Sequence, residues 1–186
     1  MTQQPEILHY AISVVGKDRP GIVAAVTEGL FNLGCNIADS SCTMLGGEFA
    51  MIMIISLKKP FSKSRLIEEL KPVCDKIEMT LGVRTLNPDE VVRKEPAGEI
   101  CMISVYGADQ PGIVYHVTRE LAGRNINITD LNTKLIGTDE EPVYVLMLEV
   151  ALPNGVTPEG VEKTLASLKK ELNVEIGVRV ITPVAF

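Results

Sequence analysis

Apolar residues follow two spacings along the chain, and each spacing predicts a type of secondary structure. Apolar runs bounded by glycine, proline or polar residues indicate strands, and apolar residues at i, i+3 and i+4 indicate helices. In the first half, these patterns predict the order strand, helix, strand, strand, helix, strand. The predicted elements are a strand at 7–15, a helix with Ile22, Val23, Val26, Leu30 and Leu33 on one face, strands at 40–45 and 49–57 joined by a turn at Gly46-Gly47, a helix over 66–77, and a strand at 80–86.

The second half repeats the first. The segment 16–23 (GKDRPGIV) returns at 107–114 (GADQPGIV), an offset of 91 positions (107 − 16) that holds from Ile12/Ile103 to Asp39/Asp130. The closing strands match at an offset of 95 (177 − 82), so the second copy has four extra residues. These are expected between the middle strands or beside the second helix. The repeated elements are strands at 100–106, 131–136, 143–152 and 174–181, with helices whose apolar faces start at Ile113 and Val161.

The duplicated order βαββαβ is the ferredoxin-like arrangement, an antiparallel four-stranded sheet with two helices on one face. The sequence therefore predicts an α+β protein of two such modules. We expect the first module at 1–86, a polar linker with two prolines at 87–98, and the second module at 99–186.

The middle strand at 49–57 is apolar on both faces, with Phe49, Met51 and Met53 on one and Ile52 and Ile54 on the other. A sheet with one face in water should alternate apolar and polar residues. We therefore expect the second face to be covered by the other repeat, by a second copy of the chain in a homodimer, or by a partner.

Charge and composition exclude several classes of function. The net charge of −6 argues against direct binding to nucleic acid, which requires clustered lysine and arginine. The N-terminus lacks a secretion signal, and the longest apolar stretch is too short to span a membrane, so a cytoplasmic protein is expected. The four cysteines lack paired spacing, which indicates reduced thiols and neither a metal site nor disulfides.

The turn before each first helix is the segment best suited to chemistry. Pro20 suits the first helical turn, Asp18 is placed to cap the helix, and Gly21 exposes backbone amides. One interpretation is purely structural, with Asp18 and Asp109 as N-caps. The other is a small site in which amides hold a carboxylate and the aspartate holds an ammonium group, the minimum needed to bind an α-amino acid.

Two further pairs of residues accompany the turns. Gly16 and Gly107 keep the space before the turn open for another backbone or for a ligand. Asn36 and Asn127 follow the first helices, where they are either left-handed C-terminal residues or amides facing the same cleft.

The motif Gly-x-Asp-x-Pro-Gly-Ile-Val followed by Asn-Ile resembles the ACT domain, a regulatory module that binds amino acids, and the resemblance covers both repeats. It implies a ligand at an interface between two domains, held by the turn before the first helix. The ligand-binding residues implied are Asp18, Arg19, Pro20, Gly21, Ile22 and Asn36 in one site, and Asp109, Gln110, Pro111, Gly112, Ile113 and Asn127 in the other.

Two such copies without an attached enzyme resemble the glycine cleavage system transcriptional repressor family. That resemblance implies a non-catalytic sensor of a small amino acid such as glycine, without another cofactor, that binds a transcriptional activator protein. The copies differ, because Arg19 becomes Gln110 and Ala24-Ala25 becomes Tyr115-His116, so both sites need not bind the same ligand.

Two alternatives remain open. One is a ligand-free interaction module that docks through the apolar sheet face or through Tyr115-His116. The other is an acylphosphatase-like enzyme, which would need an arginine such as Arg19, Arg84 or Arg179 beside Asn36. His9 and His116 lack a partner spaced for a catalytic triad or a metal site.

Overall fold

The computed structural model describes residues 7–57, 62–91, 98–138 and 142–181. The chain divides into two compact units, Met1–Arg93 and Lys94–Phe186. Each unit contains one complete copy of the predicted βαββαβ order.

The first module contains four strands and two long helices. Its elements are β1 (Leu8–Lys17), α1 (Ile22–Asn32), β2 (Asn36–Leu45), β3 (Glu48–Leu57), α2 (Lys63–Lys76) and β4 (Thr80–Leu86). The strands lie side by side in the order β2-β3-β1-β4, and all neighbours are antiparallel. This confirms the ferredoxin-like arrangement predicted from the spacing of apolar residues.

The second module has the same topology. A short helix, α3 (Pro88–Val91), lies in the predicted linker, and residues 92–97 of that linker are outside the described residues. The remaining elements are β5 (Ile100–Gly107), α4 (Ile113–Ala122), β6 (Asn127–Gly137), β7 (Pro142–Ala151), α5 (Pro158–Glu171) and β8 (Val174–Ile181). The strands of this sheet lie in the order β6-β7-β5-β8.

Strand pairing locates the four extra residues of the second copy. Gly16 pairs with Phe49 in the first module, and Gly107 pairs with Tyr144 in the second. Gly107 lies 91 positions after Gly16 (107 − 16), whereas Tyr144 lies 95 positions after Phe49 (144 − 49). Strand β6 keeps the offset of 91 from β2. The insertion therefore lies between the middle strands, the first of the two predicted positions.

Each module has its core between the sheet and the two helices. On β3, Phe49, Met51, Met53, Ile55 and Leu57 are buried, and they pack with the buried faces of α1 and α2. The opposite face of the sheet carries Ile52, which is 57% exposed. The residues of β3 are thus divided between the two faces of the sheet as predicted. What covers the second face stays a prediction.

The chain after each first helix differs from the prediction that an asparagine is the left-handed residue at the helix end. Asn36 and Asn127 are not left-handed residues, because they begin strands β2 and β6. The left-handed positions lie earlier, at Gly34 (φ 73°) and Asn125 (φ 56°). The chain reverses immediately after the helix, which leaves the later asparagine free to join the edge strand.

Candidate functional site

The turn after β1 is built on a left-handed glycine. Gly21 has φ 95° and ψ −7°, and helix α1 begins after it at Ile22. Proline followed by a glycine with positive φ is typical of a type II turn, with Pro20 at its second position. The prediction that Pro20 lies in the first helical turn is therefore wrong, because the left-handed glycine separates it from the helix. The N–H of Asp18 donates to the carbonyl of Gly47 (2.8 Å), which attaches the turn to the β2–β3 hairpin.

The aspartates do not cap the helices. The N-cap residues are Gly21 and Gly112, and neither helix start receives a side-chain hydrogen bond. Asp18 and Asp109 precede these glycines by three residues, so their carboxylates are not at the N-cap position. Both aspartates are exposed, and among the described residues neither carboxylate has a hydrogen bond or ion pair. The first N–H groups of each helix have no intrahelical partner, so donors and a carboxylate lie unpaired at one turn.

A groove of about 640 Å³ opens beside the first turn. Its floor and walls come from the turn, from the first residues of α1 and from the end of the β2–β3 hairpin. Five of the six predicted residues of the first site line it. The complete lining is Asp18, Arg19, Pro20, Gly21, Ile22, Val23, Ala24, Cys42, Thr43, Met44 and Phe49.

The sixth residue, Asn36, lies at the other end of the same sheet. It pairs with Ser56, which pairs with His9, whereas the turn follows Gly16 and Lys17. Seven strand residues (16 − 9) separate the two levels, or about 23 Å at about 3.3 Å per residue. The second module repeats this separation, with Asn127 beside Ala151 and Ile100. Within a module, the asparagine and the turn are therefore not brought together. This separates Arg19 from Asn36, one of the arginine–asparagine pairs that an acylphosphatase-like site could use.

Arg19 links the turn to the corner between α2 and β4. Its Nη1 lies 3.6 Å from Oε2 of Glu78, while its Nη2 is buried and has no partner among the described residues. Gly16 permits this close packing, since a methyl group there would lie 3.0 Å from the carbonyl oxygen of Glu78. Of the two roles predicted for Gly16, the structure supports the close approach of another backbone.

The second turn has the same backbone and different side-chain contacts. Gly112 has φ 101°, and Gly107 lies equally close to the α5–β8 corner, where a methyl group would be 3.2 Å from the carbonyl oxygen of Asn173. At this corner Gln110 Nε2 donates to the carbonyl of Leu172, the C-cap of α5. Gln110 thus uses a side-chain donor in a hydrogen bond within its own module, whereas Arg19 has a side-chain donor without a partner among the described residues.

A cluster of aromatic and charged side chains flanks the second turn. Tyr115 and His116 meet edge to face with ring centres 5.2 Å apart, and Nδ1 of His116 lies 3.9 Å from Glu171. The Cζ of Arg119 lies 5.9 Å from the Tyr115 ring centre, and the pKa of Arg119 is raised, first by its hydrogen bond to the Tyr115 hydroxyl. Sequence comparison of the repeats marked Tyr115 and His116 as different from their counterparts but did not place them against the turn.

The thiols provide one exposed nucleophile in the first groove. Cys42 is exposed, whereas Cys74 and Cys101 are buried and Cys35 is half-buried. Burial raises the pKa of Cys35 to about 11, and it also raises the pKa of Cys74 and Cys101. Cys42 was missed as a groove residue because its place depends on the β2–β3 register.

The described residues show neither a metal-binding cluster nor a membrane-spanning helix. Across the described ranges, no group of three or more histidine, cysteine, aspartate or glutamate residues is arranged to hold a metal ion. No helix in the described part of the chain combines the length and the apolar character needed to cross a membrane.

Comparison with known proteins agrees with this duplicated fold. The sequence profile of the ACT domain matches residues 9–84 and again residues 99–179. The chain belongs to the ACT domain family. The ACT modules therefore correspond to the two structural units, and the resemblance read from the Asp-x-Pro-Gly turn is confirmed.

Individual relatives extend over nearly the whole chain. The glycine cleavage system transcriptional repressor of Escherichia coli (strain K12) is 27% identical over 179 residues, covering 93% of this chain and 90% of that protein. A crystal structure of a protein from Galdieria sulphuraria has a TM-score of 0.79 at 27% identity, covering 95% of this chain and 100% of that chain. A structure provisionally assigned to a glycine cleavage system transcriptional repressor has a TM-score of 0.69 at 23% identity, covering 95% and 99%, and supports the fold.

Proposed function

We propose that this tandem ACT protein is a non-catalytic regulator that binds a small free amino acid at its Asp-x-Pro-Gly turn. Binding changes its affinity for a transcriptional activator protein that controls glycine metabolism. This proposal rests on one observation: polar groups without hydrogen-bond partners in the described part of the chain lie together in the first groove, where Asp18, Arg19 and the start of α1 meet.

Each end of an amino acid has a complementary group in this groove. A ligand carboxylate can accept from the guanidinium of Arg19, which lines the groove and whose Nη2 has no partner among the described residues, and from the uncapped N–H groups at the start of α1. A ligand ammonium group can donate to the carboxylate of Asp18, which no other described side chain engages. A zwitterion pairs both sets of groups at once, whereas a simple anion would leave Asp18 unpaired.

The relatives suggest the ligand and the process. The full-length relative from Escherichia coli is named a glycine cleavage system transcriptional repressor, and its alignment covers both ACT modules. We extend that role to this chain, with glycine as the first ligand to test and the cytoplasm as the place of action. The net charge of −6 favours contact with an activator protein over direct contact with DNA.

Regulation then follows from thermodynamic linkage. If glycine binds one conformational state of the protein better, it raises the population of that state. An activator that also distinguishes the states gains or loses affinity by the same factor by which it changes the affinity for glycine. This regulation needs no chemical step.

Calorimetric titration tests ligand binding. Glycine, L-serine and L-valine are titrated separately into the intact protein and into Asp18→Asn, which keeps the shape of the side chain and removes its charge. Loss of one charged hydrogen bond should weaken binding by roughly 10- to 100-fold. Absence of heat and of a thermal shift with all three amino acids would count against the sensor.

A second candidate function is a ligand-free interaction module, favoured by the exposed Ile52 on the open sheet face. Copurification of the tagged protein from cell extract, with and without glycine, separates the two. The sensor predicts that recovery of the activator changes with glycine in the intact protein and not in Asp18→Asn. Recovery that is the same in all four conditions supports the interaction module.

A further inference from the structure

We propose that the two ACT modules have divided roles, in which the first turn binds the amino acid and the second turn is closed by its own side chains. This inference rests on the proposed function, since it specifies which of the two turns performs it. Three differences between equivalent positions support it.

The first difference is the space beside the turn glycine. A methyl group built on Gly21 would meet no atom within 4 Å. The same group built on Gly112 would lie 3.2 Å from Cδ2 and 3.5 Å from Nε2 of His116. The imidazole therefore covers the turn glycine in the second module, where the first module has open space. Ala25 occupies the position of His116 in the first module (116 − 91) and is too short to do the same.

The second difference is the third residue of the helix. In the first module this residue is Ala24, which lines the groove, and in the second it is Tyr115. The phenol ring contacts His116 edge to face, and Arg119 reaches its hydroxyl at 3.5 Å. Tyr115 thereby adds an aromatic ring beside the helix start and supports the imidazole that covers Gly112.

The third difference is the availability of a donor. Arg19 forms one ion pair at 3.6 Å and retains a buried, unpartnered Nη2. Its counterpart Gln110 donates its amide to the carbonyl of Leu172. A carboxylate at the second turn would compete with that carbonyl for the amide of Gln110, which is uncharged where Arg19 carries a guanidinium. The aspartate is common to both turns, so Asp18 and Asp109 do not explain the asymmetry.

Thiol protection can report each turn separately. Cys42 lines the first groove and is exposed, and Thr133 occupies the equivalent place on β6 (133 − 91 = 42) and is also exposed. The first reporter is the unmodified protein, and the second is Thr133→Cys combined with Cys42→Ser. Alkylation by iodoacetamide is followed by peptide mass spectrometry, with and without glycine, L-serine or L-valine.

We expect glycine to slow alkylation of Cys42 about tenfold at a concentration ten times its Kd, because only the free form then reacts. Alkylation at position 133 should not change. Protection at both positions, or at position 133 alone, overturns the division of roles while the proposed amino-acid binding stands. Absence of protection at both positions with all three amino acids overturns the proposed function as well.

Two reciprocal variants test the cause of the difference between the two turns. Tyr115→Ala/His116→Ala combined with Gln110→Arg in the Thr133→Cys reporter should open the second turn, supply the guanidinium that it lacks and create protection there. Ala24→Tyr should remove protection of Cys42, and this variant remains informative if the opened protein fails to fold. Circular dichroism and the alkylation rates without ligand verify the folded state. Protection of Cys42 that survives Ala24→Tyr, in a folded protein, would show that the third helix residue does not control access.

Discussion

Replacing the turn glycines with alanine gives a quantitative test of how the candidate site is built. Gly21 has φ 95°, a conformation that L-residues adopt at a cost of about 1–2 kcal/mol. No atom lies within 4 Å of the added methyl group, so Gly21→Ala should pay this conformational cost alone. With a urea dependence of about 1 kcal/mol per molar for a small module, the unfolding midpoint of the first module should fall by about 1–2 M.

Gly112→Ala should cost more. Its φ of 101° carries a similar conformational cost, and the methyl group also lies 3.2 Å from Cδ2 of His116. That contact requires the imidazole to move and should add about 1 kcal/mol. The double variant Gly112→Ala/His116→Ala, compared with His116→Ala alone, should return the cost to that of Gly21→Ala.

Buried thiols allow each module to be followed separately in urea. Cys74 is 1% exposed in the first module, and Cys101 is fully buried in the second. Pulsed alkylation in increasing urea, resolved by peptide mass, gives one midpoint for each. Gly21→Ala should lower the Cys74 midpoint by more than the Cys101 midpoint. Gly21→Asn is the matched control and should cost less, since asparagine tolerates this position of a type II turn better than alanine. An unchanged Cys74 midpoint in Gly21→Ala would refute a helix start that depends on the left-handed glycine.

Three further predictions concern the thiols and the helix ends. At pH 8, one thiol per chain should react rapidly with a disulfide reagent, and mass spectrometry should identify it as Cys42; fast reaction of Cys35 would contradict its pKa of about 11. Stability to urea should fall as pH rises above about 9, because thiols in the unfolded chain lose protons near their ordinary pKa of 9.0 while the buried thiols of the folded chain retain them. A stability that stays constant up to pH 11 would contradict this. Ser62→Ala and Thr157→Ala should each lower the free energy of unfolding in urea by about 1 kcal/mol, because these side chains cap α2 and α5. Asp18→Ala should cost almost nothing, since Asp18 caps no helix. An equal loss in all three variants would contradict this assignment of caps.

Much of the fold follows from local patterns that the sequence displays twice. The i, i+3, i+4 spacing predicted the faces of α1 and α4, whose buried residues are Ile22, Val26, Leu30 and their counterparts Ile113, Val117, Leu121. The strands at 80–86 and 174–181 were predicted with the bounds that the structure has. Gly46 and Gly47 both have positive φ, as expected of a tight hairpin turn. Duplication strengthened each prediction because two different sequences satisfy the same pattern.

The helix starts were predicted incorrectly because two local rules compete there. Aspartate before a helix often caps it, and proline favours its first turn, but a glycine between them can take the left-handed conformation and begin the helix later. Glycine occurs at that place in both repeats, at Gly21 and Gly112, and this was the available signal. Placing the asparagines failed for a different reason: the distance of Asn36 from the turn depends on strand register, which apolar spacing does not determine.

The side-chain contacts that distinguish the two turns could not be obtained from the sequence. The hydrogen bond from Gln110 to Leu172 joins residues 62 positions apart. The position of His116 over Gly112 depends on a rotamer, and the replacement of alanine by histidine does not reveal it. Comparing the repeats showed where the modules differ, and the structure was needed to show that the differences converge on one turn.

The most direct test of the account is the response of backbone amides to glycine in ¹H–¹⁵N correlation spectra. Glycine should shift the amide signals of Ile22, Val23 and Ala24, whose N–H groups begin α1 without a side-chain cap, and saturation should follow a single binding curve. The equivalent signals of 113–115 should stay unchanged. Unchanged signals at both helix starts in saturating glycine, or shifts confined to residues remote from the turns, would contradict the claim that the first turn is an amino-acid site.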